Sequence, residues 1–284
     1  MSFSGRVHDG AFIALTTDFG SDDPYVGVVK GVILGINPSA CIVDLCHGIE
    51  PQSIVQGGFL LANSYHFFPK GSIHVVVVDP GVGTARRILL LSTNDYYFIA
   101  PDNGLLSYVI KNLCIQEDQS YSVDHSGTVL LPSNVVCYQV ENERYQLPSR
   151  SSTFHARDII GPVAAHLSTG ITPSNFGTQI DHIVGLELND VKCDGNVIRG
   201  RVVYIDRFGN LITDIPREML PSGLFTTKIK GATIDQLSSS YASGEALLAI
   251  IGSFNTLEVA YYGGNAAEIL GAKIGERICV TSFI

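Results

Sequence analysis

The first part of the chain alternates between two apolar periods. "FIALTTDFG" is a short apolar run that breaks at Thr16-Thr17-Asp18 and predicts a strand. "DPYVGVVKGVILGINP" carries apolar residues near helical spacing, with Pro24 at its start and Asn37-Pro38 stopping it. "CIVDLC" reads as the next strand. "SIVQGGFLLANSYHFFP" predicts a helix despite Gly57-Gly58 and ends at Pro69. "SIHVVVVDP" is apolar on both faces, the pattern of a strand covered by helices on two sides. "RILLLSTNDYYFIAPDNGLLSYVI" reads as strand, Asn-Asp turn, strand, and a helix opening at Asp102-Asn103. Strands alternating with helices predict an α/β layered domain with a mostly parallel sheet.

Residues 115–150 lack clear periodicity and read as an irregular surface insert. "TFHARDIIGPVAAHLSTG" restores order as a loop and a short helix. Beyond about residue 184 the chain changes to strands without helices, as in "GNVIRGRVVYIDRFGNLITDIP" and "GERICVTSFI". The expected organisation is an α/β domain over 1–184 and a smaller all-β, barrel-like domain over 185–284.

Charge narrows the list of partners. The chain has 284 residues, a formal net charge of −9 and 16% charged residues, which argues against nucleic acid. No stretch approaches a membrane span, and the N-terminus does not read as a signal peptide. The six cysteines include no C-x-x-C pair, so reduced thiols in a cytoplasm are expected rather than a disulfide scaffold or zinc ribbon.

Candidate chemistry concentrates in "VVVVDPGVGTARR". A buried strand delivers Asp79 into a glycine-rich turn, and Arg86 and Arg87 follow. Ligands of open α/β sheets bind outside the carboxyl ends of strands, where Asp18, Asp79 and Asp102-Asn103 all fall. The glycines match neither G-x-x-x-x-G-K-[ST] nor G-x-G-x-x-G, and the aspartate before them would oppose a phosphate. They are read as permitting a sharp turn that brings Asp79 and Arg86 together. The histidines are scattered without metal-ligand spacing, so no metal is expected.

The ordered segments "TTDFG", "VVDPGVGTARR", "APDNGLL", "TFHARDIIGPVAAHL", "DRFGN" and "GGNAAEILG" resemble the S-adenosyl-L-methionine (SAM) hydroxide adenosyltransferases. These are relatives of the SAM-dependent fluorinase and chlorinase. The resemblance runs from about residue 12 to the C-terminus. It implies a Rossmann-like N-terminal domain, a barrel-like C-terminal domain, and a homotrimer with SAM bound between subunits. The implied reaction converts SAM and water to adenosine and L-methionine with no cofactor or metal.

The family's Asp-Arg-His trio falls on Asp79, Arg86 and His155. Halogen-transferring relatives lack that trio, so halogenation is the disfavoured branch, and a non-catalytic SAM or adenosine sensor is the other alternative. By ligand chemistry Asp18 suits the ribose hydroxyls, Phe208 a face of adenine, and Asn210 the base edge. Asp206 suits the methionine ammonium and Ser253 its carboxylate. The resemblance adds Asn265 and Ala266 to the substrate contacts. Adjacent side chains of an extended segment point oppositely, so Arg87 is expected to turn away from the site that Arg86 faces. Arg157 is expected to pair with Asp158.

Overall fold

The computed structural model describes residues 11–188, 191–243 and 246–283. The leader reading and His8 fall on residues 1–10, outside the described residues. The chain divides into two compact units, Met1–Glu187 and Leu188–Ile284.

The first unit is built on β1 (Phe12–Thr17), α1 (Tyr25–Ile36), β2 (Cys41–Cys46), α2 (Ile54–Ala62), β3 (Ile73–Val77), β4 (Ile88–Ser92), β5 (Tyr97–Pro101) and α3 (Ser107–Gln116). It continues through β6 (Thr128–Leu130), β7 (Val136–Val140), α4 (Gly161–Ser168), β8 (Gly177–Ile180) and β9 (His182–Val184). A seven-stranded sheet runs in the order β2-β1-β3-β5-β4-β7-β8, while β6 and β9 pair separately.

The first four strands of that order are mutually parallel, and the remaining contacts are antiparallel. The sheet is therefore parallel only over half its width, a correction to the mostly parallel expectation. The cause is local. Ser92 and Tyr97 are joined by a tight Thr-Asn-Asp-Tyr turn, closed by Thr93 N–H donating to the Tyr96 carbonyl at 2.9 Å. A turn that short returns the chain antiparallel.

Residues 115–150 also differ from their reading as a surface excursion. They supply β7, which sits between β4 and β8 with Cys137 fully buried. Its sequence, Val-Cys-Tyr-Gln-Val, has no clean alternation to announce a strand.

Residues of one parity, including Ile13, Leu15, Val75 and Val77, pack with Val29 and Ile33 of α1 and Val163 of α4. The opposite parity meets α2 and α3. There the glycines of α2 are contact positions. A methyl on Gly57 would touch Val78 at 3.0 Å, and one on Gly58 would press the Leu105 carbonyl at 2.7 Å. Close approach to Val78 at the exit of β3 and to the Leu105 backbone before α3 accounts for two glycines in a helix that propensity alone disfavours.

The second unit contains β10 (Lys192–Asp194), β11 (Val197–Ile205), β12 (Leu211–Pro216), β13 (Phe225–Ile229), β14 (Ala232–Ile234), β15 (Leu247–Ile251), β16 (Thr256–Tyr261), α5 (Ala266–Leu270) and β17 (Arg277–Ser282). Its sheet runs β14-β13-β17-β11-β12-β16-β15 with β10 added beside β11, and every strand pair is antiparallel. A bridge from Leu237 to Ala249 brings the chain after β14 next to β15, so the sheet nearly closes. Ile198, Val202, Leu211, Leu257, Val259, Ile278 and Val280 fill its interior.

Candidate active site

Register places the first two carboxylates. β1 and β3 pair in parallel with Thr17 opposite Val77, so the chains leave the sheet side by side and deliver Asp18 and Asp79 to one edge. Asp18 Oδ2 accepts the Gln52 N–H at 2.8 Å, with Gln52 held at φ 67°. Asn103 Nδ2 donates to the Val78 carbonyl at 2.9 Å and fixes the exit of β3.

The turn after Asp79 depends on Gly83, at φ 82°, where any Cβ would collide with the Ser152 carbonyl. The turn therefore packs directly on the segment that leads to His155. That segment is closed by Asp158, which is fully buried. Asp158 accepts the Ser151 N–H at 2.7 Å and is clasped by Arg157 Nε at 2.6 Å. Burial alone would raise the Asp158 pKa, but the hydrogen bonds from Arg157 and Ser151 leave it lowered. After His155 the helix opens as a π stretch over Ala156–Ile160, with Gly161 N–H bonded to the Ala156 carbonyl. Pro162 follows and has no N–H to offer, so the widened turn sits where the regular ladder is interrupted anyway.

Asp79, Arg86 and His155 converge. Arg86 Nε donates to Asp79 Oδ1 at 2.7 Å, its Nη2 donates to Asp79 Oδ2, and Nη2 also reaches His155 Nδ1 at 3.0 Å. The Arg86 and Asp79 side chains are only 8% and 6% exposed. Guanidinium groups have no acceptor, so His155 Nδ1 is the acceptor here and the imidazole proton resides on Nε2. Burial and the Arg86 charge both lower the His155 pKa against the opposing pull of Asp79 and Asp158, and this net lowering favours the same neutral ring. Arg86 Nη1 is buried and has no hydrogen-bond partner. The trio therefore offers two N–H donors, Arg86 Nη1 and His155 Nε2, that no acceptor among the described residues occupies.

A cavity of about 520 Å³ is lined by Asp18, Asp79, His155 and Ala156, with Arg86 lying behind Asp79 and His155 rather than in its wall. Three rings wall it. Tyr25 meets Phe154 edge-on at 5.3 Å, and Phe19 lies 5.8 Å from Tyr25 and 6.0 Å from Phe154. Reading the sequence singles out none of these rings, although Phe19 and Phe154 directly adjoin Asp18 and His155.

Arg87 turns away as expected. Its Nε donates to Asp102 Oδ2 at 2.7 Å, and Asp102 Oδ1 accepts the Val184 N–H at 2.8 Å, so this second pair serves the scaffold. Among the described residues no group of three or more His, Cys, Asp or Glu is arranged to hold a metal ion.

The other candidates lie in the second unit. Asp206 organises the "DRFGN" turn: Oδ1 accepts the Phe208 and Asn210 N–H groups, each at 2.9 Å, and Oδ2 accepts Asn210 Nδ2 at 2.9 Å. Asn210 is 7% exposed, whereas Phe208 stands 75% exposed at the tip. Gly209, at φ 82°, leaves no room for a Cβ against Asn265. Asn265 caps α5, with Oδ1 accepting the Glu268 N–H at 3.0 Å. Ala266 is fully buried, so its methyl is core and only its backbone remains for a ligand. Ser253 is exposed in the turn after β15.

Beneath that turn lies Glu258, 4% exposed, which accepts the Tyr241 hydroxyl at 2.7 Å. Burial, with Asp206 nearby, raises its pKa against the lowering effect of Tyr241. Sequence reading missed Glu258, since a lone Glu in an apolar strand carries no signal of its own.

Comparison with known proteins identifies the family. The model of the SAM hydroxide adenosyltransferase N-terminal domain matches residues 13–177, and that of the C-terminal domain matches residues 200–279. The chain belongs to the SAM hydroxide adenosyltransferase family. Within it, the chain is 32% identical over 281 residues to a Methanocaldococcus jannaschii protein named (R)-S-adenosyl-L-methionine hydrolase, covering 94% of each. It is 27% identical to a Nocardia brasiliensis protein named fluorinase, covering 94% of this chain and 96% of that one. A Thermotoga maritima crystal structure of an uncharacterised protein superposes with a TM-score of 0.82 at 30% identity, over 95% of this chain and all of that one.

Proposed function

We propose that this adenosyltransferase hydrolyses SAM to adenosine and L-methionine at the Asp79–Arg86–His155 group. The observation that carries the reading is a cavity of nucleoside size with Asp79 and His155 in its wall, and Arg86, with its unpartnered Nη1, bonded to both directly behind them. Two free N–H groups of one cluster stabilise hydroxide far better than water, in a site largely screened from solvent. Hydroxide then attacks C5′ of the adenosyl group, the C5′–S bond breaks with its electron pair going to sulfur, and neutral methionine leaves. The proton released when water ionises goes to solvent. No acid is needed for the leaving group, because a sulfonium departs as a thioether.

Asp79 does not act on substrate in this reading. Both its oxygens are spent on Arg86, which it orients. His155 donates rather than accepts, because its basic nitrogen already faces Arg86. The aromatic wall of Phe19, Tyr25 and Phe154 suits a sulfonium, a cation whose charge is lost in the transition state.

Asp18 retains Oδ1 for the ribose hydroxyls, since Gln52 occupies only Oδ2. In the second unit the exposed Phe208 ring offers a stacking face, and Asn210 retains its side-chain oxygen for the adenine amine. Asp206 receives the methionine ammonium and Ser253 its carboxylate. Asn265 and the Ala266 backbone complete the base site. The reading follows the family in joining the first unit of one copy to the second unit of another in a homotrimer. The outer side of α1 supports self-association, with Tyr25, Val28 and Leu34 each at least 39% exposed. The parallel half-sheet supports the Rossmann-like comparison. Six unpaired cysteines support a reducing, cytoplasmic setting.

The test is incubation of purified protein with SAM in ¹⁸O-labelled water. Equimolar adenosine and methionine, with the label in the 5′-hydroxyl, are expected, and added chloride or fluoride should leave the products unchanged. Binding without either product would make the protein a sensor and overturn the reading.

A further inference from the structure

An acidic protein has little reason to gather cations, yet the outer face of the second unit does so. Antiparallel register sets Lys192 directly opposite Arg199, and Arg201 directly opposite Arg277. Arg199 and Lys228 flank Cys279 on either side in one cross-strand row. Like charges directly opposite in a sheet oppose pairing. Arg199 has a weak counter-ion in Asp194 at 3.5 Å. Among the described residues Lys192, Arg201, Lys228 and Arg277 have no ion-pair partner. Asp214 also lines this region, but its Oδ1 accepts the Arg201 backbone N–H at 2.7 Å.

These side chains enclose a depression of about 230 Å³, with Lys192, Arg199, Arg201 and Arg277 on its sides and Cys279 in its lining. Five cations set against two carboxylates leave a local positive excess in a chain of net charge −9. The volume matches one or two phosphate groups.

We infer that this depression is a binding site for a small multivalent anion, of the phosphate or diphosphate class. The arginines would grip the ligand with paired N–H groups, as guanidinium groups do with phosphate oxygens. Binding also relieves the repulsion between Arg201 and Arg277. The site is made wholly of second-unit residues and does not depend on the hydrolytic reading.

The probe is inorganic pyrophosphate, titrated calorimetrically into the full-length protein. One site per chain is expected, with affinity at least tenfold weaker in R201Q/R277Q, whose fold is checked by circular dichroism. A second readout needs no variant. Pyrophosphate should slow alkylation of Cys279 by neutral iodoacetamide at least threefold, as mapped by mass spectrometry, while the exposed Cys193 serves as the internal control. Sodium chloride at equal ionic strength should have no such effect. Absence of binding heat, unchanged affinity in the double variant, or equal protection of Cys193 and Cys279 would overturn the inference.

Discussion

Arg86 donates to Nδ1 of His155 across 3.0 Å, and that one contact decides which imidazole nitrogen carries the proton. A histidine so held is a donor toward the cavity, and substitutions can separate this role from that of a base. Gln keeps both an acceptor for Arg86 and an N–H for hydroxide, whereas Ala keeps neither. His155→Ala should lower kcat by about 10²-fold, and His155→Gln should stay within about tenfold of the native enzyme. Equal losses in both variants, measured by chromatography of adenosine, would make His155 a base rather than a donor.

The same contact sets the acid limb of the pH profile. Protonation of Nδ1 would place a second cation against Arg86. The His155 pKa is lowered from 6.5 by burial and by Arg86, so the ring is neutral and competent above that value. As pH falls, kcat should decline along a limb that is displaced to lower pH than a free histidine. A limb centred above 6.5 would contradict the arrangement.

Arg86 itself couples rate to stability. Arg86→Ala leaves the Asp79 carboxylate buried and unpaired, and should cost about 3–5 kcal/mol in denaturant unfolding. Arg86→Lys keeps the charge but not the fork that spans Asp79 and His155. It should recover part of that stability while kcat remains about 10²-fold or more below native.

Gly83→Ala probes the turn through its neighbour. At φ 82° the new methyl meets the Ser152 carbonyl, three residues before His155. The expected result is a loss of about 1–3 kcal/mol and a lower kcat at nearly unchanged KM. Native activity in this variant would show that the turn and the His155 segment move independently.

His74 lies far from this chemistry in role. Its ring is fully buried, stacked on Phe98 at 5.3 Å, and neither nitrogen has a hydrogen-bond partner. Burial lowers its pKa from 6.5 to about 4. Between these values the unfolded chain binds the proton and the folded one does not, so stability falls as pH drops. His74→Phe should remove that slope, gaining about 2 kcal/mol over native protein between pH 7 and pH 5. Parallel denaturant curves for the two proteins at both pH values would refute it.

Much of this architecture is legible in the residues. The motifs point to Asp79, Arg86 and His155 as one group, and strict strand alternation predicts that Arg87 faces elsewhere. The second unit's strands announce themselves through β-branched runs between Gly and Asn turns. What escapes lacks a local signal. β7 has no alternation to read, its sequence Val-Cys-Tyr-Gln-Val following an irregular burial pattern, and the antiparallel half of the sheet follows from one short turn. The Phe19, Tyr25 and Phe154 wall is assembled from three separate segments, and no single window of sequence contains it.

The placement of two adjacent arginines at the mouth of β4 makes turn length a hidden determinant of chemistry. The buried register of β4 holds Arg87 and Ile88 in place, so one extra residue between Gly83 and Arg86 would be taken up in the turn and would loosen the hold of Asp79 on Arg86. Within Pro80 to Ala85 the turn therefore constrains both its number of residues and the identity of Gly83, where no Cβ fits against Ser152.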